Sequence, residues 1–272
     1  MATAKTPKAD PKKAPAATVR RKALPKAATK PAPKPEKAAP KAKAAPKAKP
    51  APRPKVAIDV PATLAKLEAT YPDAHCELDH ANAFQLLVAT VLSAQSTDVG
   101  VNKATPALFA AYPDARALSV ADGEDVERLV GTLGMFRQKA KRIVELSKLL
   151  VERHGGEVPG RLEDLVVLPG VGRKTANVVL GVWFKAPEGV VVDTHVQRLA
   201  QRLAWTKHTE PEEIEQDLMK KVPREKWDAV SHLLIWHGRR RCGAQRPDCK
   251  ECPIRDLCPS ADRAENVGRK QR

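Results

Sequence analysis

Beyond Pro54 the apolar positions recur at helical spacing, and each run ends at a recognisable stop. Asn82 stands where a cap belongs, with Phe84, Leu87, Val88, Val91 and Leu92 sharing a face behind it. Val126, Leu129, Val130 and Leu133 repeat the spacing and predict a helix ended by Gly134. A longer helix is predicted from Arg137 to His154, with Ile143, Leu146, Leu149 and Leu150 inward and Gly155-Gly156 closing it. Thr209-Glu210-Pro211-Glu212 has capping-box spacing ahead of Ile214 and Leu218. Trp227, Val230, Leu234 and Ile235 predict a last helix stopped by Gly238. The one strand-like run, Val190-Val191-Val192, has no partner run and reads as an extended connector. The pattern predicts an all-α fold.

The first 55 residues break this pattern. They hold 14 Lys, 17 Ala and 12 Pro, with almost nothing large and apolar to bury, and read as a disordered tail. Their 14 Lys and 3 Arg face only Asp10 and Glu36, so 15 of the 16 net positive charges lie there and the rest of the chain is near neutral. Such a segment suits duplex phosphates without sequence preference. No run approaches the ~18 apolar residues of a membrane span, and the N-terminus lacks the apolar region of a secretory signal. The expectation is a soluble, intracellular protein in a bacterial cytoplasm, associated with the nucleoid. A content of 4% aromatic residues argues against a stacking platform for single strands.

Three constellations carry chemistry. The first is Leu168-Pro169-Gly170-Val171-Gly172-Arg173-Lys174-Thr175-Ala176, a glycine hairpin opening a helix at Arg173. Backbone N–H groups at a helix N-terminus suit a phosphate, while the plainer reading is a tight turn in which Gly170 and Gly172 supply φ > 0. Lys174 falls in the first turn, where the helix dipole is positive and a lysine is poorly placed unless it has a task. It serves either as a phosphate contact or as a nucleophile, and the latter requires the free amine. The second is Val192-Asp193-Thr194-His195, in which Asp193 caps the next helix by accepting the N–H of Val196. The third is Cys242-x6-Cys249-x2-Cys252-x5-Cys258. Four thiols this close in a reduced compartment indicate a metal, with zinc and iron–sulfur both open on ligand softness alone. Cys76 stands apart and reads as an inert buried thiol.

Taken together, the hairpin, the Val-Asp-Thr-His segment and the cysteine spacing resemble the endonuclease III family of DNA glycosylases over residues 61 to 260. The resemblance implies two helical lobes around a DNA-binding cleft. Residues 76–186 would form a six-helix lobe, and residues 56–75 with 187–272 a lobe holding a [4Fe-4S] cluster on Cys242, Cys249, Cys252 and Cys258. Lys174 would be the nucleophile that forms a Schiff base, and Asp193 the second catalytic group. Gly170, Val171, Gly172 and Arg173 would meet DNA. Within Leu92-Ser93-Ala94-Gln95-Ser96-Thr97-Asp98, Gln95 would fill the space left by an extruded nucleotide. Met135 would fill the second position, where the family often has leucine. The interleaved Arg240, Arg241, Arg246, Lys250 and Arg255 would offer cations to phosphates.

The implied activity is N-glycosylase and apurinic/apyrimidinic lyase, acting as a monomer on duplex DNA with oxidised pyrimidines or abasic sites, and with no membrane. Two rivals are a monofunctional mismatch adenine glycosylase and a non-enzymatic helix–hairpin–helix module. The adenine glycosylase usually lacks the lysine and carries a further C-terminal domain. The binding module leaves the pairing of Lys174 with Asp193 unexplained.

Overall fold

In a computed structural model the described residues are 56–268, and the disordered-tail reading of residues 1–55 lies outside them. Eleven α-helices and three short 3-10 turns make up the described residues, with no strand among them. In chain order they are α1 (Val60–Thr70), α2 (Ala83–Leu92), α3 (Asp98–Ala111), α4 (Ala115–Ser119), α5 (Gly123–Leu129) and α6 (Phe136–His154). These are followed by α7 (Leu162–Leu165), α8 (Arg173–Val182), α9 (Thr194–Arg202), α10 (Pro211–Lys221) and α11 (Trp227–Arg240).

Side-chain caps set many of the starts. Asp59, Asn82, Thr97, Asp114, Asp122 and Asp193 each accept backbone N–H groups that the first turn leaves orphaned. Gly155, at φ +61°, closes α6 in the left-handed conformation that a glycine adopts without steric penalty. The run Val190–Val192 is a buried connector without regular secondary structure that leads into Asp193.

Three expected boundaries differ. The helix through Val126 ends at Leu129, and Val130 and Leu133 reach the core from turns, so the burial pattern outlasts the helix. Glu210 rather than Thr209 caps α10, without a side-chain bond, and the Thr209 carbonyl instead accepts from Gln197. Gly238 does not stop α11, which continues to Arg240. A Cβ at Gly238 would stand 2.9 Å from both Arg198 Nη2 and His195 Nδ1, so the glycine lets α9 and α11 pack closely.

The buried apolar residues form two clusters. One gathers α2 to α8 around α2, whose Leu86, Leu87, Val88, Ala89 and Leu92 are inaccessible on every side, as suits a central helix. The other joins α1 with α9, α10 and α11 around Leu67, Val196, Trp205, Leu218 and Leu234. The chain passes between them twice, at residues 74–76 and 186–190, and α8 of the first packs against α11 of the second.

Candidate active site

Where the two clusters meet, a cleft of about 1170 Å³, solvent included, is lined by Ser93, Ser96, Asp98, Lys174, Asp193 and Arg239. Lys174 arrives on the first turn of α8 and Asp193 from the cap of α9, so two elements far apart in the chain present an amine and a carboxylate to one space. Asp193 Oδ1 accepts the N–H groups of His195 and Val196, both at 2.8 Å. Among the described residues its Oδ2 has no partner, so the carboxylate is anchored by one oxygen and open through the other. Lys174 is exposed and makes no hydrogen bond or ion pair among the described residues. Any desolvation that a nucleophilic amine needs must therefore come from what enters the cleft.

Of the hairpin glycines only Gly170 adopts positive φ, at +82°. Gly172 has ordinary φ, and a Cβ there would meet nothing within 4 Å, so the open face in front of α8 is what its missing side chain leaves. Among the described residues the N–H of Gly172 and the first N–H groups of α8 have no acceptor. Open N–H groups at the N-terminus of a helix are of the kind that suits phosphate. Val171 does not add to them, because its side chain is buried and its N–H donates to the Leu168 carbonyl at 3.0 Å. The Arg173 guanidinium is also committed, donating to the buried carboxylate of Glu215 on α10 through Nε and Nη2, both at 3.0 Å. Arg173 therefore offers its backbone to the open side, and of its half-exposed guanidinium only Nη1 is without a partner among the described residues.

Gln95 and Met135 lie on neighbouring loops, one after α2 and one before α6. A Cβ on Gly134 would stand 4.0 Å from the Gln95 carbonyl. Both side chains are exposed and both residues have left-handed backbone, at φ +54° and +55°. A non-glycine residue held there costs ~1–3 kcal/mol and persists only where its surroundings over-determine it.

Sequence reasoning missed Arg239. This residue of α11 enters the cleft and pairs with Asp98 at 2.8 Å and with Glu77, while Arg240 pairs with Glu77 at 2.9 Å and covers the Trp236 ring at 3.6 Å. Nothing local in the Arg239-Arg240-Arg241 run marks the first as a cleft residue. The expectation that the cations around the cysteines serve phosphates is narrowed, since Arg240 pairs with Glu77, Arg241 with Asp248 and Arg255 with Asp262.

Cys242, Cys249, Cys252 and Cys258 line one apolar cavity beside Arg202 and His237. Among the described residues no three His, Cys, Asp or Glu side chains converge on a single ion, and the thiols surround a space instead. Burial pushes the Cys252 and Cys258 thiols up to about 11. The chemistry around them fits an anionic group bound by thiolates. Arg202 is 1% exposed, and its guanidinium donates to Cys242 Sγ at 3.1 Å and to the carbonyls of Gly243, Ala244 and Val267. Arg198, also buried, donates to the carbonyls of Gly238 and Cys242. Neither is within ion-pair reach of a carboxylate among the described residues. Two buried cations without a counter-ion are costly unless negative charge resides on the sulfurs. Cys76 is separate from this group, and burial raises its thiol to about 11, in keeping with an inert side chain.

The model of the HhH-GPD superfamily of base excision DNA repair proteins matches residues 88–224. Endonuclease III of Synechocystis sp. is 54% identical over 195 residues, covering 72% of this chain and 89% of that protein. Endonuclease III of Bacillus subtilis is 44% identical over 206 residues, covering 75% and 94%. A solved trapped endonuclease III–DNA covalent intermediate is 42% identical and superimposes with a TM-score of 0.70, covering 75% of this chain and 94% of its own. With this match to the superfamily model and this identity over most of both chains, the protein belongs to the endonuclease III family.

Proposed function

We propose that this enzyme, a bifunctional DNA glycosylase and apurinic/apyrimidinic lyase of base excision repair, removes oxidised pyrimidines from duplex DNA through Lys174 and Asp193. The observation that carries the reading is the delivery of an unpartnered amine and a half-anchored carboxylate into one cleft. DNA lies along the cleft with a phosphate on the N–H groups of Gly172 and α8. Gln95 and Met135 enter the space left as the damaged nucleotide swings out, and the extruded sugar excludes water from Lys174.

The free amine of Lys174 attacks C1′ and the base departs, its negative charge taken up by a proton. Asp193, fixed by its two N–H donors, steadies the positive charge growing on the sugar while ionised, then accepts the proton that Nζ gives up on attack and passes it to the departing base. Ring opening leaves an imine between Nζ and C1′. Loss of a C2′ proton then expels the 3′ phosphate and cuts the strand, and water releases Lys174. The monofunctional adenine-glycosylase alternative has no use for an amine at this position.

Cys242, Cys249, Cys252 and Cys258 would hold a [4Fe-4S] cluster, with Arg202 as the buried positive charge lining its cavity and Arg198 behind it on the Cys242 carbonyl. When bound, the cluster supplies a compact anionic tie joining α11 to the C-terminal segment. The protein acts as a monomer, with the two core clusters as the two lobes, in the bacterial cytoplasm at the nucleoid.

Borohydride trapping on a duplex with one thymine glycol tests the reading. The parent is expected to give a covalent complex, and Lys174→Ala and Lys174→Gln none under conditions where all three bind DNA. Absence of a complex from the parent, on that duplex and on an abasic one, would overturn it.

A further inference from the structure

Lys139 is the feature of the first cluster that the chemistry above leaves unused. Its residue is 2% exposed, on the first turn of α6, and its ammonium donates to Ser96 Oγ at 2.7 Å. Among the described residues it has no carboxylate partner. Burial lowers its pKa from the ordinary lysine value. The placement is unfavourable twice over, since an ammonium is desolvated with one neutral acceptor and lies at the positive end of a 19-residue helix. A methionine of similar length would fill the site without either cost.

What the contact joins gives the placement a purpose. Ser96 directly follows Gln95, and the backbone N–H of Lys139 donates to the carbonyl of Met135 at 3.1 Å. That backbone bond is the first intrahelical bond of α6 and would form with any residue at 139, so what Lys139 adds is its side chain, which runs from the helix start that follows the left-handed Met135 to the neighbour of the left-handed Gln95. No other side-chain hydrogen bond joins residues 93–97 to residues 134–140 among the described residues. Ser96 also lines the cleft, so the tie lies at its edge.

We propose that Lys139 is a positioning residue that, through Ser96, locks the loops of Gln95 and Met135 into one rigid double wedge for nucleotide extrusion. The inference rests on the reading of Gln95 as a filling residue. Pre-set loops do not have to be ordered when DNA is already kinked, so the device acts on extrusion and leaves the covalent chemistry of Lys174 alone.

Stopped-flow fluorescence tests this, using a duplex with 2-aminopurine beside a single thymine glycol, together with strand cleavage at an abasic site in single-stranded DNA. Lys139→Met, Ser96→Ala, the double variant and Gln95→Ala are compared with the parent. Lys139→Met is expected to slow extrusion about tenfold, the factor given by ~1.4 kcal/mol of barrier, with single-strand cleavage unchanged. Its melting temperature should equal or exceed the parent's, because a buried ammonium is removed. A purely structural lysine would lower the melting temperature and leave extrusion as it was. Ser96→Ala is expected to slow extrusion too, and the double variant to lose no more than Lys139→Met, since both remove one bond. If Gln95→Ala slows extrusion while Lys139→Met and Ser96→Ala match the parent, the clamp is overturned. If Gln95→Ala itself extrudes like the parent, it is the filling role of Gln95 that fails.

Discussion

The two hairpin glycines look alike in the sequence and do different work in the structure. Gly170 holds φ +82°, and a Cβ there would stand 3.2 Å from Val91 Cγ1 and Arg142 Cδ. Gly170→Ala therefore meets both backbone strain and a tight wall, and is expected to destabilise the fold by about 1–3 kcal/mol. Gly172 has ordinary backbone and open space before it, so Gly172→Ala should change stability by less than ~0.5 kcal/mol while weakening duplex binding, because its methyl group occupies the phosphate approach. Urea melts and a binding titration on the same two proteins check both halves, and equal effects on folding would contradict the assignment. At this scale the sequence was readable where chemistry is local. The capping carboxylate of Asp193 followed from its place before an apolar helical face. The commitment of Arg173 to Glu215 did not, because a carboxylate 42 positions away decides it.

Helix interiors were legible from period, and helix ends less so. Gly134 and Gly238 read as stops, yet Met135 rather than Gly134 takes the left-handed turn, and Gly238 stays helical because α9 needs the room. Contacts between elements were the least legible, as the link from α11 to the first cluster illustrates. Arg239 and Arg240 reach from α11 to Glu77, in the segment before α2, and Arg239 also reaches Asp98 at the start of α3. Burial works against the charged form of Glu77, but the hydrogen bonds from Arg240 and Arg239 outweigh it and hold the carboxyl below its ordinary value. A carboxyl depressed in the folded state contributes stability above its unfolded value, and that contribution disappears as pH falls through the folded one. Glu77→Gln should therefore melt below the parent at pH 7, with the gap closing as pH falls below about 4.5, the region where an unfolded glutamate titrates. Thermal melts across that range check it, and a gap that widens on acidification would show that the pair does not hold α11.

Charge is distributed so unevenly over the whole molecule that much of the sequence-independent affinity for DNA is expected to come from a different part of the chain than the chemistry. Residues 56–272 carry one net positive charge, and Arg173, Arg239, Arg240, Arg241 and Arg255 are each already engaged with a carboxylate. Residues 1–55 carry fifteen, while every residue assigned to catalysis or extrusion lies beyond them. Each phosphate neutralised by a basic side chain steepens the fall of log K with log salt by ~0.9 on duplex DNA. Removal of residues 1–55 should flatten that slope in proportion to the phosphates they engage, and the loss of affinity should be the same for damaged and undamaged duplex, since phosphate contacts carry no base information. Turnover at saturating substrate should stay as it was, with KM rising most at low salt. A slope unchanged by the truncation would mean that these charges do not engage DNA, and a drop in turnover at saturation would mean that the segment reaches into the chemistry of Lys174.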